Sequence, residues 1–98
     1  MTKYKLLSIK PSTNKYKKLM ATFLLSDKST RIIHFGDPFY EDYTIHKDNK
    51  RKELYISRHK SNENWNDPLT KGALSRWVLW NKTSLSASIK DFKNKFNL

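Results

Sequence analysis

An alternation of apolar side chains in residues 19–25 is the feature that most constrains the fold. Apolar residues stand at every second position of this segment, namely Leu19, Ala21, Phe23 and Leu25. Such a period of two is typical of a strand that buries one face. The polar residues 26–29 follow, and residues 30–35 form a β-branched run that ends in an aromatic ring. The sequence therefore predicts an antiparallel hairpin.

The end of the chain has the clearest helical periodicity. Apolar residues recur there at spacings of four, three and four, namely Leu85, Ile89, Phe92 and Phe96. This spacing places them on one face of an α-helix. The opposite face carries three lysines, namely Lys90, Lys93 and Lys95. We therefore expect a last helix that is apolar inward and basic outward.

Two further helices are predicted between the hairpin and the last helix. Asp48 is a predicted N-cap for the first of them, in which Leu54 and Tyr55 share the buried side. Residues 62–66 should interrupt it. Residues 67–68, Asp-Pro, predict the start of the next helix, because a capping carboxylate followed by proline is a typical first turn.

Shorter segments complete the predicted order of elements. Residues 4–9 favour a third strand, separated from the hairpin by the turn-like residues 11–14. Residues 36–38, Gly-Asp-Pro, should end the hairpin, because proline lacks an amide donor. Residues 39–45 mix aromatic and acidic side chains without a clear period. We expect an ordered connector there, held in place by its aromatic rings.

Strands followed by helices predict an α+β fold. A chain of 98 residues has room for one core, so we expect a single small basic domain over residues 1–98. Its architecture should be a small antiparallel sheet of two or three strands followed by about three helices packed on it. The predicted core consists of Leu19, Ala21, Phe23, Ile33, Phe35, Tyr43, Leu54, Tyr55, Leu74, Trp77, Val78, Leu85, Ile89 and Phe92.

The charge of the chain indicates an anionic partner. Twenty Lys and Arg residues stand against nine Asp and Glu, which gives a formal net charge of +11. A charge of this size destabilises a compact state by self-repulsion, and nucleic acid is therefore the leading candidate partner. The residues expected to contact it are Lys15, Lys17, Lys18, Lys28, Arg31, Lys90, Lys93 and Lys95.

Basic residues also flank tyrosines, in residues 3–5 (Lys-Tyr-Lys) and 15–17 (Lys-Tyr-Lys). Rings on such a surface can stack on unpaired bases while the lysines follow the phosphate backbone. The sequence contains no zinc finger, recognition-helix fingerprint or aromatic RNA-binding signature. Any binding should therefore have low sequence selectivity and depend strongly on salt.

The sequence does not predict an enzyme, a cofactor or a metal site. The side chains suited to proton transfer near neutral pH are His34, His46 and His59. Their spacing matches no catalytic or zinc-binding pattern. The two glycines are too far apart for a phosphate-binding loop. A nuclease that uses His46 is the remaining catalytic alternative.

One polar cluster has two interpretations. Its members are Asp42, His46, Arg51 and Arg58. Polar side chains next to buried positions commonly serve as hydrogen-bonded determinants of the fold, and this is the first interpretation. In the alternative, the same side chains form a functional cluster that sets cations and an imidazole near a phosphodiester.

The sequence predicts no targeting or membrane segment. Residues 1–8 lack an apolar run of signal-peptide length, and no stretch approaches the roughly 20 apolar residues of a membrane span. The absence of cysteine excludes a disulfide framework. We therefore expect no membrane partner.

Several blocks of sequence carry a resemblance to known proteins. They are residues 34–36, 40–48, 51, 55, 58–59 and 74–82. With them the chain resembles a family of short basic proteins encoded by large double-stranded DNA viruses of eukaryotes, including giant viruses of protists and algae. The resemblance covers residues 34–96 and implies a viral origin. It implies a location in the host cytoplasm, in a viral factory, or in the nucleus, or packaging in the virion, and it assigns no catalytic residue.

The main hypothesis is a non-enzymatic viral protein that binds nucleic acid through its basic faces. The alternative is a small structural or protein-interaction component, such as a minor virion protein or a host-factor antagonist. In that case a viral or host protein partner would be contacted through an aromatic patch around Phe39, Tyr40, Trp65 or Trp80. A homodimer is a further expectation, because so small a sheet exposes an edge.

Overall fold

The structure is a computed structural model that describes residues 4–98. Lys3, one of the lysines that flank Tyr4, lies outside the described residues. The strands are β1 (Tyr4–Pro11), β2 (Leu19–Leu25) and β3 (Thr30–Phe35). The helices are α1 (Tyr43–His46), α2 (Asn49–His59), α3 (Lys71–Leu74) and α4 (Leu85–Phe96), with a π-helical segment (Ser75–Leu79) directly after α3. The predicted α+β fold and its order of strands and helices are confirmed.

The sheet is antiparallel, with the order β1-β2-β3. In its register, Ala21 lies between Ile9 and Ile33. Opposed residues project to the same face of a sheet, so the alternation in β2 continues into both neighbours. The register shifts between Leu6 and Ser8, which leaves one extra residue in β1 as a β-bulge.

α3, the π-helical segment and α4 pack on one face of the sheet. From the sheet, Phe23 and Phe35 are fully buried, and from the helical part Leu74, Val78 and Phe92 are fully buried in the same cluster. Full burial of one such side chain contributes about 1.5 to 3 kcal/mol. This cluster is the main core among residues 4–98, and Tyr43 and Tyr55 are buried outside it.

Polar side chains start the longer helices. The Asp48 carboxylate accepts hydrogen bonds from the backbone N–H groups of Lys50 and Arg51, at 2.9 and 3.3 Å, which confirms the predicted N-cap of α2. Ser84 caps α4 by accepting from the N–H of Ala87. Each cap satisfies donors that the first turn of a helix leaves free.

The predicted helix start at Asp67-Pro68 is wrong. The Asp67 carboxylate accepts from the N–H of Leu69 in a local turn, and α3 begins only at Lys71. Thr70 is the N-cap, because its hydroxyl accepts from the N–H of Ala73. An Asp carboxylate that accepts from the N–H two residues later stabilises a turn as readily as the start of a helix. The sequence signal was therefore ambiguous.

Two predicted core residues are wrong. Leu54 is 52% exposed and Leu85 is 38% exposed. In α2, Tyr55 takes the buried position instead, and its neighbour Leu54 projects to the side. In α4, the buried residues are Ser88 and Phe92, four positions apart, so Leu85 lies at the solvent end of the buried stripe.

The expected anchoring of the connector by its aromatic rings is also wrong in part. Phe39 is 81% exposed and Tyr40 is 71% exposed, while Tyr43 is buried. Carboxylates hold the connector instead. Asp37 accepts from the N–H of Phe39 at 2.9 Å, and Asp42 caps α1 by accepting from the N–H of Thr44.

A truncation of Phe92 tests this core directly. The Phe92→Ala variant should lose about 3 to 5 kcal/mol of unfolding free energy, because the ring is fully buried and leaves a cavity. Leu85→Ala is the matched control in the same helix, and it should lose less than about 1 kcal/mol. Urea unfolding followed by circular dichroism measures both, and equal losses would contradict the placement of α4.

Candidate functional site

A cleft of about 610 Å³ lies between the sheet and the helices. One wall comes from the start of β2 and the connector after β3, the second from α2, and the third from α3 with the π-helical segment. The volume falls within the range of about 300 to 1,000 Å³ that ligand pockets occupy. Segments far apart in sequence therefore meet around one concave surface.

The floor of the cleft is apolar and aromatic. The ring of Tyr55 stacks on that of Trp80, with centroids 4.4 Å apart and planes 2° from parallel. Phe35, Leu54 and Leu79 add apolar surface to the same lining. Burial and the nearby Glu63 carboxylate raise the pKa of the Tyr55 phenol, so this group stays neutral through the physiological range.

One acid of the cleft belongs to a buried ion pair. The Lys18 ammonium lies 2.7 Å from the Asp42 carboxylate, and the two side chains are 16% and 4% exposed. The same carboxylate accepts hydrogen bonds from the backbone N–H and the hydroxyl of Thr44. The pair therefore ties the start of β2 to the start of α1.

Two other acids of the cleft, Glu63 and Glu41, have side-chain partners, whereas Asp37 has no cationic partner among residues 4–98. Glu63 interacts with His59 at 2.9 Å and accepts from the indole N–H of Trp65 at 2.8 Å. Glu41 forms an exposed ion pair with Arg51 at 3.5 Å. Such exposed pairs contribute little to stability, about 0 to 1 kcal/mol.

Three cations of the cleft are left without a partner. The side chains of Lys17, Arg58 and Lys71 form no hydrogen bond or ion pair with any residue from 4 to 98. Five cations (Lys17, Lys18, Arg51, Arg58 and Lys71) and four carboxylates (Asp37, Glu41, Asp42 and Glu63) line the cleft, so the formal charge of the lining is +1 and its potential is weakly positive. A lined cavity concentrates such a potential and attracts anions.

The π-helical segment shapes the third wall. The N–H of Trp80 donates to the carbonyl of Ser75 at 3.0 Å, a bond across five residues. This wider turn brings Ser75, Leu79 and Trp80 to the cleft lining. Short π-helical segments are frequent at functional sites.

Two cations behind the cleft hold Trp80 in place. Arg76 donates to the carbonyl of Trp80 at 2.8 Å, and its guanidinium lies 4.3 Å from the centroid of the Trp77 ring. Lys52 donates to the carbonyl of Asn81 at 2.6 Å. Burial is the main cause that lowers the pKa of both side chains. These bonds satisfy carbonyls at the end of the helix, so the two cations serve the fold.

The structure divides the predicted polar cluster. Asp42, Arg51 and Arg58 line the cleft, whereas His46 is not part of its lining. The Nδ1 atom of His46 accepts from the N–H of Asp48 at 2.9 Å. The His46 ring also lies 5.2 Å from that of Trp80. The hydrogen bonds of Asp42 and of His46 Nδ1 agree with the first interpretation, whereas the buried Nε2 of His46 has no hydrogen-bond partner among residues 4–98.

The predicted nucleic-acid-binding residues do not converge on one site. Lys17 lines the cleft, and Lys18 is paired with Asp42. Two other lysines cover aromatic rings, Lys15 over Tyr16 at 5.2 Å and Lys95 over Trp77 at 4.3 Å. Four exposed cations lie elsewhere on the surface, namely Lys28, Arg31, Lys90 and Lys93.

Sequence reasoning missed Lys71 and the stacked pair of Tyr55 and Trp80. Lys71 has no other cation and no aromatic residue beside it, since residues 68–74 read Pro-Leu-Thr-Lys-Gly-Ala-Leu. The stacked residues lie 25 positions apart in the sequence, so no local sequence pattern predicts their contact. Two sequence signals pointed to this pair: Tyr55 was predicted to be buried, and Trp80 belonged to the predicted aromatic patch.

Between residues 4 and 98, no group of three or more His, Cys, Asp or Glu side chains is placed to hold a metal ion. In the same range, no helix has the length and apolar character needed to cross a membrane.

Removal of the Asp42 charge tests the buried ion pair. Asp42→Asn keeps the shape of the side chain and a good N-cap, but it removes the charged partner of the partly buried Lys18 ammonium, so it should cost about 2 kcal/mol of unfolding free energy. Glu41→Gln is the neighbouring control and should cost less than about 1 kcal/mol. Urea unfolding of both variants measures the two losses. A loss of unfolding free energy for Asp42→Asn as small as that for Glu41→Gln would contradict a structural role of the ion pair.

The raised pKa of Tyr55 predicts a loss of stability at high pH. An unfolded tyrosine ionises near pH 10, whereas the folded Tyr55 ionises only at higher pH. The stability from its burial is therefore present below about pH 10 and is lost as the pH rises through the folded pKa. Unfolding free energies at pH 8 and pH 11 should differ less in Tyr55→Phe than in the wild type. The exposed control Tyr16→Phe should keep the wild-type difference, and an unchanged difference in Tyr55→Phe would refute this placement of the phenol.

Comparison with known proteins identifies the family of the chain. No curated protein and no solved structure matches it. A family profile described as a family of unknown function (DUF5754) matches residues 7–59. This match runs from within β1 to the end of α2, and so includes two walls of the cleft but not the wall after residue 70. Because it covers more than half of the chain, the protein belongs to the DUF5754 family.

Proposed function

We propose that the protein is a non-enzymatic nucleic-acid-binding protein with low sequence selectivity. The observation that carries the proposal is the set of three unpartnered cations, Lys17, Arg58 and Lys71, around one cleft of a chain with net charge +11. Phosphate contacts from such side chains dominate the affinity of proteins for nucleic acids.

The chemistry of these cations explains the expected low selectivity. Lysine and arginine contacts to phosphate fix the position of a strand without reading its bases. Exposed lysines outside the cleft, such as Lys90 and Lys93 on α4, supply further phosphate contacts. Binding should therefore weaken steeply with salt, as counterions compete for the backbone.

The viral resemblance fits this proposal and adds a setting to it. A basic protein packaged with a viral genome, or acting in the viral factory or nucleus, neutralises phosphate in the same way. The description of the DUF5754 family names no activity, and the viral setting is therefore proposed on the resemblance alone.

The uncovered face of the sheet favours a second candidate, a protein-interaction or minor virion component. Ile32 and Leu7 are about half exposed on the sheet. Strands β1 and β3 are the edges of the sheet, and unpaired edges can recruit another chain. A protein partner or a second copy would use this face rather than the cleft.

A double charge reversal at the cleft tests the proposed function. Lys17→Glu/Lys71→Glu should lower affinity for a labelled oligonucleotide at least about tenfold, and it should reduce the salt slope by about 1.4 to 1.8, the value for two lost phosphate contacts. Fluorescence anisotropy at several salt concentrations measures both quantities. Glutamate at position 71 suits the first turn of α3, so folding should be preserved.

The matched control is Lys5→Glu/Lys10→Glu, which changes the net charge by the same amount on exposed residues of β1. Its affinity should fall less than about threefold. Equal losses in the two double variants would indicate a general charge effect and would contradict a site at the cleft. Absence of binding by the wild type at low salt would favour the protein-interaction candidate.

A further inference from the structure

We infer that the cleft binds one unpaired nucleotide, with the base inside and the phosphate at the rim. This inference rests on the proposed function and deepens it, because it makes the cleft a base pocket rather than only a charged surface. It predicts that the protein prefers single strands to duplexes.

The lining of the cleft suits a flat base. Its floor consists of Leu54, Leu79 and the stacked Tyr55–Trp80 pair; because Trp80 and His59 cover the faces of the Tyr55 ring, Tyr55 presents its edge to the cleft. Nucleobases have two apolar faces and polar edges, and they bind well against aromatic and apolar walls. The volume of about 610 Å³ is that of a small-ligand pocket and is too confined for a double helix.

An exposed ring lies at the border of the cleft. Tyr40 contributes to the lining although 71% of its surface is exposed, and its neighbour Phe39 is 81% exposed. Large exposed rings side by side are costly in water and commonly mark a binding surface. Here they provide a stacking platform for the base next to the one that enters the cleft.

The charges of the lining match a nucleotide better than an acidic peptide. Lys17, Arg58 and Lys71 can hold a phosphate. Glu41 and Glu63 also line the cleft, and besides their partners Arg51, His59 and Trp65 each carboxylate has acceptor sites left for a hydrogen bond from an N–H group of a base. A ligand that combines an anion with N–H donors on a flat ring satisfies both kinds of side chain.

A base that is paired and stacked in a duplex cannot enter such a cleft without leaving the helix. Proteins that take a base into a pocket either act on single strands or bear the cost of unstacking. The cleft therefore binds single strands in preference to duplexes, while the surface lysines bind the phosphates of single strands and duplexes alike.

Leu54 offers a test that leaves the core intact, because the side chain lines the cleft and is 52% exposed. Leu54→Glu places a new carboxylate in the base pocket and should lower affinity for a 12-nucleotide oligothymidylate by about tenfold. Ile45→Glu is the control, since Ile45 is 53% exposed and is not part of the lining. It should lower affinity less than about threefold. Leu54→Gln adds no charge and should give an intermediate loss.

The duplex arm separates the pocket from the surface. For a 12-base-pair duplex, Leu54→Glu and Ile45→Glu should have equal effects, because phosphate contacts alone hold the duplex. If the two variants also bind the single strand equally, the base pocket is refuted and the proposed function still stands.

A mononucleotide tests the pocket without a polynucleotide. Titration of the wild type with thymidine monophosphate should shift the backbone amide resonances of Leu54, Gly72 and Ser75, which lie in the lining. Such shifts would sustain the pocket even if the oligonucleotides did not bind and the proposed function failed. Shifts confined to residues outside the lining, or displacement of the nucleotide by an oligoglutamate peptide at equal concentration, would overturn the inference.

Discussion

The buried ion pair between Lys18 and Asp42 is the interaction on which the arrangement of the site depends. Lys18 precedes β2, and its backbone N–H donates to the carbonyl of Gly36 at 3.0 Å. Its side chain reaches Asp42, which caps α1. The connector between these two points is thus fixed at both ends, and with it the position of Tyr40 beside the cleft. Because both charges are mostly removed from water, separating them would cost free energy. The geometry of this junction is therefore narrowly defined.

The charges around the cleft follow a simple division. Cations inside the fold satisfy specific acceptors, as Lys18 does with Asp42, and as Arg76 and Lys52 do with carbonyls after the π-helical segment. Cations at the rim have no such acceptor within the described part of the chain. The same residue types therefore serve two purposes, and only the second set is available to a ligand. The family match ends at residue 59, so it includes the ion pair but not the wall that carries Trp80.

The elements of the fold were predictable from the sequence because their signals are local. The alternation in β2, the Asp48 cap and the periodicity of α4 each lie within a dozen residues. The site was much less predictable. The partner of Lys18 lies 24 positions away, and only the folded chain shows that this lysine is committed to Asp42. Leu54 is likewise exposed because its neighbour Tyr55 stacks on Trp80 in its place. This tertiary contact overrides the helical periodicity of the sequence.

The most direct measurement of the central claim is photocrosslinking of the wild-type protein to a single strand that carries 5-iodouracil, with the linked residue identified by mass spectrometry. Iodouracil reacts with aromatic rings in van der Waals contact with the base. A strand bound in the cleft should be linked to Tyr40 or Trp80, which lie in its lining. Links found only at Tyr16 or Tyr4, outside that lining, would contradict the assignment of the cleft as the nucleic-acid site.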